Sequence, residues 1–158
     1  MEYRKFVQEW LKRSERKNER VDDADRFISL WIAFNGWLRE KYGEGLFDGL
    51  LIDKVANSHD LGTIFTSLKE QDYTFKENLE KLSRYNIINM RNSNNENNYR
   101  SYDGSFESFI RVIYQIRCNL FHGRKSFEED KKDYELIVLA LKLLGPLFKQ
   151  YCEINRII

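Results

Sequence analysis

"FESFIRVIYQIRCNLF", residues 106–121, reads as one amphipathic helix. At about 100° per residue, with Phe106 at zero, Phe109, Ile110, Ile113, Ile116, Leu120 and Phe121 fall within roughly 80° and make a single apolar stripe. Glu107, Ser108, Arg111, Gln115 and Asn119 fall on the opposite side. Arg117 does not follow the pattern: it lies at roughly 20°, inside the stripe. Burying a guanidinium unpaired costs several kcal/mol, so Arg117 needs a carboxylate, a stem that carries its charge to water, or a cleft that admits an anion.

The same helical period runs through the rest of the chain, and no segment alternates apolar and polar residues for long, which predicts an all-α fold. A first, heavily charged helix is expected over about residues 3–20, most simply a solvated face, with a basic strip for RNA as the sharper alternative. The second should open at Asp22 or Asp23, both good caps, and close near Gly43. Its "RFISLWIAFNGWL" carries apolar residues on more than one face, Phe27, Leu30, Trp31, Phe34, Trp37 and Leu38, and so belongs at the centre of the fold. Asn35, inside that run, must find a hydrogen-bond partner if buried.

Shorter helices are expected at about 46–56, 60–70 and 74–88, with Ser58 or Asp60 as a cap. His59 sits in a turn-like setting that suits the surface better than catalysis. The Asn-rich stretch at about 89–104 has almost no apolar content and is expected to be a mobile loop. A last helix should begin at the capping box of Ser126 and Glu129, run to about Cys152, and bend at Pro146.

The 158 residues suit one domain, 1–158, long enough to bury about 70% of the unfolded surface. With 26 Lys and Arg against 25 Asp and Glu, no global field attracts a polyanion, so any such site must be local. Two cysteines, Cys118 and Cys152, are too few for a disulfide scaffold and, with two histidines, too few for a zinc cluster. That usage, a charged N-terminal stretch and the absence of a long unbroken apolar run lead to the expectation of a cytoplasmic protein without a membrane span.

Beyond Arg117 comes His122, directly before Gly123, and then Arg124 and Lys125. On a continuous helix His122 points about 140° away from Arg117, so the two converge on one ligand only if the helix unwinds or two copies share a cleft. A titratable imidazole and a guanidinium able to hold phosphate oxygens are the ingredients for chemistry on a phosphodiester.

"RCNLFH" followed by "GRK", together with the upstream "FISLWIAFNGW" and a long terminal helix, resembles the R-x4-6-H motif and helices of HEPN domains (higher eukaryotes and prokaryotes nucleotide-binding), in their Apea-like or RiboL-PSP-associated branch. The resemblance implies a HEPN-like helical bundle that commonly dimerises, the motifs of two subunits forming a composite site. It implies a metal-independent endoribonuclease of defence or toxin–antitoxin systems, acting without a cofactor. Arg117 matches the motif arginine and His122 the histidine. The polar residue that often follows the arginine is displaced: Cys118 stands there and Asn119 next, so Asn119 is a third candidate catalytic residue. Arg124 and Lys125 are candidate RNA-binding residues.

The partners implied are an RNA substrate, a second copy of the chain and a neutralising antitoxin. Two other readings stay open: a HEPN-like module that binds nucleotide, RNA or protein without turnover, and a structural bundle in which Arg117 is buried in an ion pair.

Overall fold

"RFISLWIAFNGWL" becomes the spine of the molecule. It lies in α2 (Asp23–Tyr42), and Phe27, Leu30, Trp31, Phe34, Trp37 and Leu38 are all buried. Asp22 caps the helix by accepting from the Asp25 amide at 2.9 Å. Gly43 ends it at φ 122°, a backbone conformation that β-carbon-bearing residues rarely adopt. A computed structural model describes residues 2–17, 22–89, 99–122 and 131–158, with the backbone alone for His122. Seven helices and one short ribbon lie among these residues.

α1 (Tyr3–Ser14) packs along α2 on one side, and α7 (Lys131–Ile154) along it on another. Phe148 of α7 meets Phe34 edge-on at 5.3 Å and Tyr151 meets Trp37 at 4.8 Å, geometries that aromatic quadrupoles favour. Pro146 lies within α7. The capping box at Ser126 and Glu129 falls outside the described residues, as do Arg124 and Lys125.

α3 (Asp48–Ala56), α4 (His59–Gln71) and α5 (Tyr73–Ser83) follow as short helices. Ser58 and Asp72 cap the latter two through the amides of Leu61 and Phe75. His59 is exposed at the first position of α4, as its turn-like surroundings suggest.

α1 ends at Ser14, short of the expected residue 20, with Glu15 as its C-cap, and the chain after α5 also departs from the expectation. The fifth helix stops at Ser83, and Ile87–Ile88 (β1) pairs antiparallel with Tyr99–Arg100 (β2), so both flanks of the Asn-rich stretch belong to a two-residue ribbon. After β2, Tyr102 is buried against Phe65 and Phe109, and Asp103 accepts from both the amide and the hydroxyl of Ser105. Those bonds from Ser105 hold the Asp103 carboxyl down at about 2. A single aromatic ring and one carboxylate turn order the approach to α6 where composition indicates only mobility; residues 90–98 lie outside the described set.

α6 (Phe106–His122) is the predicted amphipathic helix, continuous through His122. Phe109, Ile110, Ile113 and Ile116 are buried as the stripe requires, whereas Phe121 is 52% exposed on a cavity wall while its neighbour Leu120 still packs against the core. The polar side is not open to water throughout: Gln115 is buried, since β1 covers that face. No helix among the described residues is long and apolar enough to cross a membrane.

Candidate anion site between α2, α3 and α6

Trp31, Asn35 and Arg39 follow one another at four-residue steps along α2, which puts them on one face. Tyr114 and Cys118, and beside them Arg117 and Phe121, are pairs four residues apart on one face of α6, and the N-terminus of α3 closes the gap with Asp48. The anionic partner that Arg117 requires is this aspartate: Arg117 Nη2 lies 3.4 Å from Asp48 Oδ2.

Asp48 does not belong to Arg117 alone. Arg39 Nη2 donates to Asp48 Oδ1 at 2.7 Å, and the rest of Arg39 is fixed, with Nε donating to Asn35 Oδ1 at 2.9 Å and Nη1 to the Leu46 carbonyl at 2.9 Å. Asn35 thereby finds its partner. Asp48 is also favourably placed for the dipole of α3, whose N-cap, Phe47, contributes no side-chain hydrogen bond. Two guanidiniums converge on one carboxylate, leaving one formal positive charge in excess.

Arg117 is the more loosely held of the two. Its Nε is buried without a hydrogen-bond partner, and Nη1 has only the Cys118 sulfur at 3.9 Å. Its guanidinium stands 4.9 Å from the Phe121 ring and 5.8 Å from the Trp31 ring, distances at which the aromatic faces attract a cation. Trp31 Nε1 is a second buried donor without a partner.

Two cavities adjoin at this point and share Arg39, Asp48, Arg117 and Phe121. The first, about 520 Å³, extends along α2 over Phe6 and Trp31; exposed Glu40 and Glu44 also line it. The second, about 490 Å³, is bounded by Phe47, Gly49, Tyr114 and Cys118, and Asp48 is the one carboxylate on its wall. Burial, then the neighbouring Cys118, pushes the Tyr114 hydroxyl up to about 12, so it stays protonated as a donor across the neutral range. The second cavity thus combines excess positive charge, neutral donors and aromatic edges, which suits a phosphate with an attached ring system.

The other candidate residues are distributed differently. Asn119 lies on the far side of α6, where its Nδ2 donates to the Ile88 carbonyl at 2.7 Å and its Oδ1 accepts from Gln115 Nε2 at 2.9 Å. It joins α6 to β1 and does not line either cavity. His122 closes α6 five residues beyond Arg117, and Arg124 and Lys125 lie outside the described residues.

Neither Arg39 nor Asp48 stands out in the sequence. The four-residue step from Asn35 to Arg39 was a local sign of a polar stripe on α2, but their convergence with Arg117 depends on tertiary packing. No family model, curated protein or solved structure matches this chain.

Proposed function

We propose that the chain is a metal-independent endoribonuclease of HEPN type. The observation that carries the reading is the half-buried guanidinium of Arg117, in the apolar stripe of α6, sharing one carboxylate with Arg39 at the wall of an aromatic-lined cavity. Anion recognition explains that arrangement better than stability does. A guanidinium kept for stability alone is best served by a carboxylate of its own with every donor satisfied.

In the proposed reaction the RNA 2′-oxygen attacks the adjacent phosphorus, forming the O2′–P bond as the P–O5′ bond breaks. Arg117 stabilises the charge that grows on the non-bridging oxygens. His122, the residue the HEPN resemblance assigns, takes the 2′-hydroxyl proton or delivers one to the departing 5′-oxygen. The products are a 2′,3′-cyclic phosphate and a 5′-hydroxyl, and DNA, lacking the 2′-hydroxyl, is not cut.

α6 is continuous through position 122, and at about 100° per residue positions 117 and 122 of a helix fall about 140° apart. The catalytic reading therefore includes a homodimer in which each site takes residues from two copies. Phe47 and Phe121, 68% and 52% exposed beside the second cavity, supply apolar surface for a second copy to cover. The same continuity favours a second reading, an anion-binding module without turnover. Cytoplasmic location, a defence or toxin–antitoxin setting and a neutralising partner belong to the proposal through the resemblance alone.

The test is incubation of the purified protein with single-stranded and tRNA-like RNAs and a DNA control in excess EDTA, beside folded Arg117→Ala and His122→Ala variants. Cleavage of RNA alone, with cyclic-phosphate ends and loss in both variants, supports the nuclease. Binding of RNA without cleavage supports the module. Equal cleavage by all three proteins overturns the assignment of both residues.

A further inference from the structure

We propose that Arg39 is a positioning residue that frees Arg117 for phosphate by holding Asp48. The inference rests on the reading that Arg117 binds a phosphate, and it assigns the control of that binding to a residue on a different helix. Asp48 is the anion with which any incoming phosphate competes, and its two oxygens are unequally engaged. Oδ1 receives the short 2.7 Å bond from Arg39, while Oδ2 stands 3.4 Å from Arg117.

Arg39 can impose that inequality because its Nε and Nη1 donors are already committed to other partners. Nη1 reaches the carbonyls of Glu44 at 3.2 Å and Leu46 at 2.9 Å, in the connection between α2 and α3, and Nε reaches Asn35 on its own helix. The guanidinium is locked to both the helix that carries it and the segment leading to Asp48. Arg117 has no comparable anchorage: Nε has no hydrogen-bond partner, Nη1 touches only the Cys118 sulfur, and the neighbouring rings of Phe121 and Trp31 hold it through their faces. Of the two cations on Asp48, Arg117 is the one whose departure costs fewer hydrogen bonds.

Removing Arg39 should reverse the balance. Asp48, no longer discharged, becomes an undivided counterion for Arg117, and phosphate is excluded although Arg117 itself is unchanged. Removing the charge of Asp48 as well should restore binding, because the competitor is gone. A merely structural Arg39 predicts the opposite: a second lesion beside the first would damage the site further.

Inorganic phosphate is the probe, titrated at fixed ionic strength while the Nε–Hε resonance of Arg117 is followed by NMR. In the wild-type protein the resonance should shift with phosphate. Arg39→Ala should weaken the apparent affinity about tenfold or more, corresponding to about 1.4 kcal/mol per tenfold change. The Arg39→Ala/Asp48→Asn double variant should return to within about threefold of wild type, a difference of about 0.7 kcal/mol on the same scale. Asp48→Asn alone, which retains the Arg39 anchorage, should tighten binding and provides the readout should Arg39→Ala fail to fold.

An Arg39→Ala affinity equal to wild type, a folded double variant without recovery, or an Asp48→Asn variant that binds no better overturns the inference. Phosphate binding with these effects but no RNA cleavage leaves the inference standing and removes the nuclease. Absence of any phosphate response at Arg117 removes both.

Discussion

Asn119 Nδ2 donates to the carbonyl of Ile88 across 2.7 Å, tying the last third of α6 to the ribbon that follows α5. The same amide accepts from buried Gln115 through its oxygen, so one side chain satisfies both a strand carbonyl and a helix glutamine. Asn119→Ala removes both bonds and strands two polar groups. It should cost about 1–3 kcal/mol in urea denaturation. If the RNA chemistry resides at Arg117 and His122, this variant should cleave at the wild-type rate well below its melting temperature. A loss of cleavage with stability intact would return Asn119 to the active site.

The Asp48 cluster predicts an asymmetry in stability. Asp48→Ala leaves two guanidiniums facing each other without their shared anion and breaks a charge-assisted bond. It should cost about 1.5–3 kcal/mol. Arg117→Ala leaves Asp48 paired with Arg39 and removes a side chain that is 25% exposed, holds its carboxylate at 3.4 Å and buries an unpartnered Nε. Its cost should stay below about 1 kcal/mol. Matched chemical denaturation of the two variants checks this, and an Arg117→Ala loss equal to that of Asp48→Ala would mark Arg117 as a structural ion-pair residue.

Helix ends and helix faces were the most legible parts of the sequence. Asp22, Ser58 and Gly43 stand at the boundaries their chemistry indicates, and the wheel that isolated Arg117 describes the buried face of α6 from Phe109 to Ile116. Those signals are local, set by backbone donors and by a fixed angle per residue. The ribbon is not legible in that way, since two-residue strands carry no periodicity. Gln115 and Asn119 appear solvent-facing on the wheel because a wheel does not know that β1 will cover them. The partner of Arg117 lies 69 positions away on a short helix, and Arg39 reaches it from a third element, so only the packing of α2, α3 and α6 discloses that three charges meet.

Gly36 tests how closely α1 is seated on the helix that carries Arg39. A β-carbon there would stand 2.4 Å from Phe6 Cε1 and 2.8 Å from Cδ1, so the ring must move. Gly36→Ala should gain roughly 0.5–1 kcal/mol of helix preference and lose about 1–3 kcal/mol to overpacking, a net destabilisation. In a Phe6→Leu background the clash with the ring is relieved. The alanine should then be neutral or stabilising, and the two substitutions should couple by about 0.5–3 kcal/mol in a double-mutant cycle. Strict additivity would show that Phe6 does not rest on Gly36 in solution.

Stability should fall on the alkaline side, where two shielded neutral groups keep their protons to a higher pH than they do in the unfolded chain. Burial raises the Cys152 thiol from 9.0 to about 12, and burial followed by the neighbouring Cys118 raises the Tyr114 hydroxyl from 10.0 to about 12. Both groups are neutral when protonated, and in each the folded state holds its proton to a higher pH than the unfolded state does. Below pH 9 both states are protonated and stability is flat with respect to these groups. From pH 9 for Cys152 and pH 10 for Tyr114, up to about 12, the unfolded chain binds fewer protons, so stability declines as pH rises. Urea midpoints measured between pH 8 and 11.5 should trace this decline. Cys152→Ala should flatten its first part, and Tyr114→Phe its later part, whatever either substitution costs at neutral pH. A slope unchanged in both variants would show that neither group is shielded from water as their packing implies.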